Sequence, residues 1–404
     1  MFVRNPNACR QPYPRALQAV MSIAIAQQSR HWLGGWARLN QKPTPLYSLP
    51  GLAAELGVAQ VAIKDESVRS ELGSFKALGA PIALLRLVLG SFPLQRMHPY
   101  GVLAGHHAQL LSEFAVVGAT DGNHGRALAA AAQGIGCRCV IVLHAHVSIG
   151  RERAIAAYGA LIVRIAGNYD ASVAHAAALA ASNGWHVVSD TSYEGYEVIP
   201  RDVMQGYATI AAEVVEANAG QPPFTHVFLQ GGVGGLAAGV VSYLWELYAE
   251  HRPVFVVVEP EQADCLYQSA LRGEPARATG SVDSVMAGLA CGETSPLAWR
   301  FLQPSVDAFM TVSDAEAVAA MRRLAAGSEG DIPVLAGESA VAGLAGAMHL
   351  LEQAPDVAAG LALGPEARLL VISTEGATAP GVYAELVGER AESVLARQAA
   401  WTAA

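Results

Sequence analysis

Short apolar runs rich in β-branched residues alternate with alanine-rich stretches along most of the chain. That alternation limits the fold more than any other feature. Strand-like runs occupy 58–63, 114–118, 138–143, 161–166, 186–189, 225–229, 254–258 and 368–372. Between them lie Ala/Leu-rich segments of helical character, such as 77–89, 126–133 and 236–248. Strands separated by helices are joined by crossovers, so they pair in parallel and need cover on both faces. The expected class is α/β, with parallel twisted sheets flanked by helices. With 404 residues, 52% of them hydrophobic, the chain can bury a core large enough for two subdomains. Ligands of such sheets sit beyond the carboxyl ends of the strands. Three loops of unusual composition follow strand-like runs there.

The first loop, Lys64-Asp-Glu-Ser-Val-Arg-Ser-Glu-Leu-Gly-Ser-Phe-Lys76, ends on a lysine at a strand-to-helix junction. Desolvated there, Lys76 can serve as an amine nucleophile, which a Schiff base with an aldehyde cofactor requires. A second loop, Gln230-Gly-Gly-Val-Gly-Gly-Leu-Ala-Ala-Gly239, follows 225–229 and opens a helix-like stretch. Its amides at Gly231, Gly232, Val233, Gly234 and Gly235 can cradle a phosphate at a helix start. The loop lacks the Lys-Ser/Thr of a nucleotide P-loop, but Gly232-x-Gly234-x-x-Ala237 with Glu259 also fits a dinucleotide fingerprint. The third loop is Ala119-Thr-Asp-Gly-Asn-His-Gly125. Its composition suits helix capping, and equally a turn whose Asn123 holds a ring oxygen and whose amides hold a carboxylate.

These loops, in this order, resemble the fold-type-II pyridoxal-phosphate enzymes. The resemblance implies that Lys76 forms the Schiff base, Asn123 contacts the phenolic oxygen of pyridoxal 5'-phosphate, and Gly231 to Gly235 take its phosphate. It narrows to the diaminopropionate ammonia-lyases through Asp65-Glu-Ser-x-Arg69, Asp190-Thr-x-x-Glu-Gly-Tyr196, Met204-Gln-Gly-Tyr207, Met286-Ala-Gly-Leu-Ala-Cys-Gly-Glu293, Gly337-Glu-Ser339 and Ser373-Thr-Glu-Gly376. Matches run from Pro43 to Thr378. The family implies a smaller domain at 85–192 and a larger one from 1–84 and 193–404. It also implies a homodimer and a hydroxyl, Ser373 or Thr378, beside the pyridine nitrogen.

The implied reaction is α,β-elimination of 2,3-diaminopropionate, in both enantiomers, to pyruvate and ammonia. Lys76 is the expected base on one face of the substrate. Asp121 stands where related serine and threonine dehydratases carry Ser, and is the candidate base on the other face. Asp190 is the candidate for the leaving amine, which departs readily only when protonated. Ser74, Thr120, Asp121, His124 and Asp190 are expected to line the substrate. Two positions depart from the family: Gly73 stands where Asn is usual, and Ala379 where an acid is usual. The alternatives are a serine or threonine dehydratase of the same fold, a dinucleotide oxidoreductase built on Gly232 and Glu259, and a cofactor carrier without turnover.

A net charge of −9 without a long basic run argues against nucleic acid as a partner. No apolar stretch reaches the ~20 residues of a membrane span. The mild apolar run 16–26 reads as a helix or arm on the body rather than a secretory signal. Five cysteines (9, 137, 139, 265, 291) show no zinc or Cys-x-x-Cys spacing, which suits buried thiols in a reducing, cytoplasmic setting. Cys265 and Cys291, both in family-matching segments, are a candidate disulfide near the site entrance. His106–His107 and His144-Ala-His146 lack neighbouring carboxylates or thiols and read as structural or surface histidines, with no metal expected.

Overall fold

The computed structural model describes the chain except residues 121, 146, 168, 220–222 and 404, and the side chains of 170 and 403. Its strands are β1 (Phe2–Arg4), β2 (Leu46–Ser48), β3 (Gln60–Asp65), β4 (Ala115–Ala119), β5 (Arg138–His144), β6 (Leu161–Ile165), β7 (His186–Val187), β8 (His226–Gln230), β9 (Val254–Pro260), β10 (Ala308–Val312) and β11 (Arg368–Ser373). They form a seven-stranded sheet ordered β1-β10-β9-β8-β11-β3-β2 and a four-stranded sheet ordered β6-β5-β4-β7. Every pairing in the smaller sheet is parallel. In the larger one only the two edges, β1 on β10 and β2 on β3, run antiparallel.

Burial follows from the strand period of two. Val227, Leu229, Val257, Leu370 and Ile372 enter one apolar cluster, while their neighbours Phe228, Val256, Val258, Leu369 and Val371 enter another on the opposite face. Both faces are therefore covered, and the strands read as continuous apolar runs. A long helix, Val198–Ala217, lies against the helices Ile23–Leu33, Ala80–Ser91 and Gly235–Tyr248. The N-terminal segment thus packs on the body as a helix, as its composition suggests.

All eight expected strands are present. Three others, β1, β2 and β10, carry no clear signal in the sequence. The first two are three-residue edge strands whose pairing is set by their neighbours, and β10 is a five-residue run whose only β-branched aliphatic residue is Val312. The stretches 273–284 and 327–337 are irregular, and the tail forms the helix Ala391–Ala403.

Candidate active site

The carboxyl ends of β3, β4, β7, β8 and β11 deliver the site. After β3 the chain is pinned by a buried ion cluster. Lys64 Nζ donates to Glu213 (2.5 Å) and to the Thr44 carbonyl (2.6 Å), while the Arg69 guanidinium grips Glu66 and Glu213 at 2.7–2.9 Å. None of the four charged groups is more than 5% exposed. The Asp-Glu-Ser-x-Arg motif thus works as an anchor, tying the loop before Lys76 to the helix Val198–Ala217. Buried charges are tolerable only when matched in this way.

From that anchor the loop turns through Gly73, whose φ of +70° is left-handed. Glycine and asparagine are the residues that adopt this conformation most readily, so Gly73 in place of the family's Asn keeps the turn. The loop is then stitched to the segment after β11. Gly376 N donates to Gly73 O (3.0 Å) and Phe75 N to Thr374 O (3.0 Å). Lys76 follows, in a tight turn over Phe75–Leu78 rather than in the α-helix, which starts at Ala80.

Lys76 Nζ donates to Asp190 Oδ2 at 2.5 Å, and both side chains are about one-fifth exposed, 19% and 22%. The ammonium also lies 5.1 Å from the Phe75 ring centroid and 5.6 Å from that of Tyr207. Burial presses the lysine toward the neutral amine, but the Asp190 charge outweighs it and holds Lys76 protonated above its ordinary range. Asp190 therefore opposes the desolvation that would activate Lys76 as an amine. Burial likewise pushes Asp190 up, and the charge of Lys76 more than reverses that. His124 completes the group, its Nδ1 3.8 Å from Asp190 Oδ2 and its Nε2 3.2 Å from the Val188 carbonyl. Burial holds its pKa below the usual value, so the ring is neutral and Nε2–H is the donor.

The glycine loop closes the opposite side. Gly234 sits at φ +100° and starts the helix Gly235–Tyr248. A Cβ on Gly232 would approach Cys291 Sγ to 3.3 Å, so a side chain there would crowd the cradle. Gly235 faces the Asp190 carbonyl, which brings the cradle beside the Lys76–Asp190 pair. The Ser373 hydroxyl, at the end of β11, is fully buried and finds no hydrogen-bond partner among the described residues; the same holds for Ser74. Thr378 instead donates to Glu375 at 3.4 Å. A lysine, a helix-start glycine cradle and an unpartnered buried hydroxyl fit the amine-reactive, phosphate and ring-nitrogen ends of pyridoxal phosphate.

Of the residues expected from sequence, Ser74, Lys76, Asn123, His124, Asp190, Gly231 to Gly235, Ser373 and Thr378 lie on these converging loops, with Thr120 just ahead of them. Asp121 and His146 lie outside the described residues. Three site neighbours had no role assigned from sequence: Tyr207, Glu338 and Glu375. Tyr207 is 1% exposed and its hydroxyl has no hydrogen-bond partner among the described residues. The signal for the two glutamates was their place in apolar Ala/Gly-rich surroundings, where a carboxylate is costly unless it has work.

The cysteines are all free. The Cys265 thiol approaches the Gly232 carbonyl (3.4 Å) and Glu259 Oε1 (3.6 Å), and burial pushes the Cys291 thiol up to about 12. The expected Cys265–Cys291 bridge is absent; both are free thiols beside the glycine loop, Cys265 buried and Cys291 half-buried. Glu259 is 0% exposed and accepts from Leu266 N (2.9 Å) and Tyr267 N (2.7 Å). It caps a helix start and is not free to hold a ribose, which removes the structural support for a dinucleotide site. Among the described residues no group of three His, Cys, Asp or Glu is placed to hold a metal, and no helix is long and apolar enough to cross a membrane.

A model of the family "Pyridoxal-phosphate dependent enzyme" matches residues 37–375. The diaminopropionate ammonia-lyase of Escherichia coli K12 is 38% identical over 376 residues, 92% of each chain. The chain belongs to the pyridoxal-phosphate dependent enzymes, within the diaminopropionate ammonia-lyase family. The Salmonella typhimurium member is 37% identical, covering 86% of this chain and 88% of its own. The crystal structure of the Escherichia coli lyase in complex with an aminoacrylate-PLP azomethine reaction intermediate superposes with a TM-score of 0.85, at 35% identity and 96% coverage of both chains. The family's fold-type-II architecture is also that of tomato threonine deaminase, at a TM-score of 0.70 and 19% identity, where the likeness is one of fold alone.

Proposed function

We propose that this chain eliminates the β-amino group of 2,3-diaminopropionate, in both enantiomers, so that one substrate and one water yield pyruvate and two ammonia. The observation that carries the reading is the Lys76–Asp190 pair, an amine and a carboxylate 2.5 Å apart beside a glycine cradle. Membership of the diaminopropionate ammonia-lyase family supports the substrate.

Pyridoxal phosphate, when bound, supplies an aldehyde carbon for amines and a conjugated ring that draws electrons from the α-carbon. Lys76 Nζ would hold the aldehyde, the amides of Gly231 to Gly235 the phosphate, and Asn123 the ring oxygen. Ser373 is the better hydroxyl for the ring nitrogen, because Thr378 is engaged by Glu375. A neutral partner there leaves the ring nitrogen unprotonated, which favours elimination over transamination.

The residues then divide the protons. While Lys76 is charged, it keeps Asp190 ionised. When Lys76 is neutral, its charge and hydrogen bond no longer act on Asp190, and burial, the largest influence, raises the proton affinity of the carboxylate. Asp190 can then hold a proton for the departing amine, while the free Lys76 amine takes the α-proton on its own face. His124, neutral and with Nδ1 3.8 Å from Asp190 Oδ2, adds no competing charge beside the pair. Asp121 is proposed, from its place in the Thr120–Gly125 sequence, as the base for the opposite face. Ser74, Thr120 and His124 are proposed to line the substrate.

The test is pyruvate release from D- and L-diaminopropionate and from serine. Release from both diaminopropionates and little from serine is expected. Release mainly from serine would make the chain a dehydratase. A homodimer and a cytoplasmic location belong to the same proposal, the free thiols supporting the latter; light scattering tests the former. So does the division into a lobe of 85–192 and a body of 1–84 with 193–404, supported by the four-stranded sheet falling wholly within the former.

A further inference from the structure

Glu375 is 4% exposed and stands where the loops of the site meet. Its backbone bridges Ser74, two residues before Lys76, and its carbonyl accepts from Gly337 N (2.9 Å). Its carboxylate accepts from Ser339 N at 3.3 Å on Oε1, and from Thr378 Oγ1 at 3.4 Å on Oε2. Oε2 also accepts from Asn123 Nδ2. A carboxylate has no proton to donate, so it selects the nitrogen end of a facing amide. Burial and the neighbouring Glu375 push Glu338 up to about 7, so near neutral pH Glu338 is the member of this carboxyl pair that readily takes the proton. Burial raises Glu375 as well, but the donors Asn123, Ser339 and Thr378 act against it, which favours the charge on Glu375 rather than on Glu338.

We infer that Glu375 is a positioning residue that fixes the orientation of the Asn123 amide, engaging one N–H and leaving the other as the donor for the ring oxygen of the cofactor. Without the carboxylate, an amide turned end for end would present its oxygen, and oxygen facing oxygen repels. The inference rests on the reading of Asn123 given above. It adds the reason that loop works: the amide's two ends are distinguished from behind, by a residue that never touches the cofactor.

The test uses three readouts on the full chain. In the apoprotein, the side-chain amide of Asn123, assigned by its loss in Asn123→Ala, is expected to exchange slowly and resonate apart from free asparagine amides. An amide exchanging at the free rate overturns the inference, and this measurement needs no change at Glu375. With pyridoxal phosphate added, Glu375→Gln is expected to bind it roughly ten-fold more weakly, as when a charge-assisted hydrogen bond is weakened. Its visible absorption band should shift as that of Asn123→Ala does. In the double variant the two effects should not add. An unshifted band and unchanged affinity in Glu375→Gln, or full additivity in the double variant, overturns the inference while Asn123 keeps its role. A normal band and affinity in Asn123→Ala removes the reading of Asn123 and the inference together.

Discussion

At the residue scale the site is a contest between burial and pairing. Asp190 and Lys76 each oppose their own desolvation by holding the other's charge. Replacing Asp190 by Asn keeps the shape and removes the carboxyl group that can take up and release a proton. Turnover should fall by about 10²–10⁴-fold, the usual scale for a positioned acid or base, and equally for D- and L-diaminopropionate. Asp121→Asn should instead depress the D form far more than the L form. Steady-state rates on the separate enantiomers check both, and a uniform loss in Asp121→Asn would mean that Asp121 does not select a face. Glu338 offers a test in stability rather than rate. Burial first, and then the charge of Glu375, raise it from 4.5 to about 7. A raised carboxyl contributes stability below its unfolded pKa and loses it as pH rises through the folded one. Between pH 4.5 and 7 this costs about 3 kcal/mol. Glu338→Gln should therefore melt higher than the parent at pH 8 and converge with it near pH 4.5. Parallel melting curves would refute the coupling.

At the scale of elements, turns decide more than strands do. Gly234 combines φ +100° with a neighbourhood in which a Cβ would come 2.9 Å from Leu302 Cδ1 and 3.0 Å from Ala298 Cβ. Gly234→Ala should cost about 1–3 kcal/mol, read as a lower urea midpoint of the apoprotein, together with weaker cofactor retention. An unchanged midpoint would show that the turn can relax. Ala379 is explained at the same scale: it is the N-cap of the helix Pro380–Val387, which has no side-chain cap. An acid there would cap the helix, so its absence here bears on stability, of about 1 kcal/mol, more than on the pyridine end. Strands such as 225–229 and 254–258 were legible because both their faces are buried, where composition is forced. Phe2–Arg4 and Leu46–Ser48 were not legible, because an edge strand exists through its partner more than through its own residues.

Across the whole molecule, the Lys76, Asn123 and glycine loops could be read from sequence because each is a local run with a chemical logic. The links between them could not. Glu213 lies far along the chain from Lys64 and Arg69, and nothing local marks it as their partner. Removing its charge by Glu213→Gln leaves buried cations short of a counter-ion and should cost about 3–5 kcal/mol. A melting temperature within a degree or two of the parent would show that Glu66 alone suffices. Asn123 and Glu375 are likewise 252 positions apart, so the pairing that organises the cofactor loop appears only once both sheets are built.

The strand order also sets a schedule for folding. β4 to β7 are contiguous in the chain, so the smaller sheet is complete once residue 187 is available. The larger sheet has β11, the last strand in the chain, inserted between β8 and β3. Until Arg368–Ser373 arrives, those two strands expose unpaired edges in the middle of what becomes the core. Folding of the larger sheet must therefore wait for nearly the full chain, as non-local pairings do. A nascent chain stalled short of β11 would combine a finished small sheet with two adhesive strand edges, the form of this protein most exposed to aggregation and most in need of a chaperone.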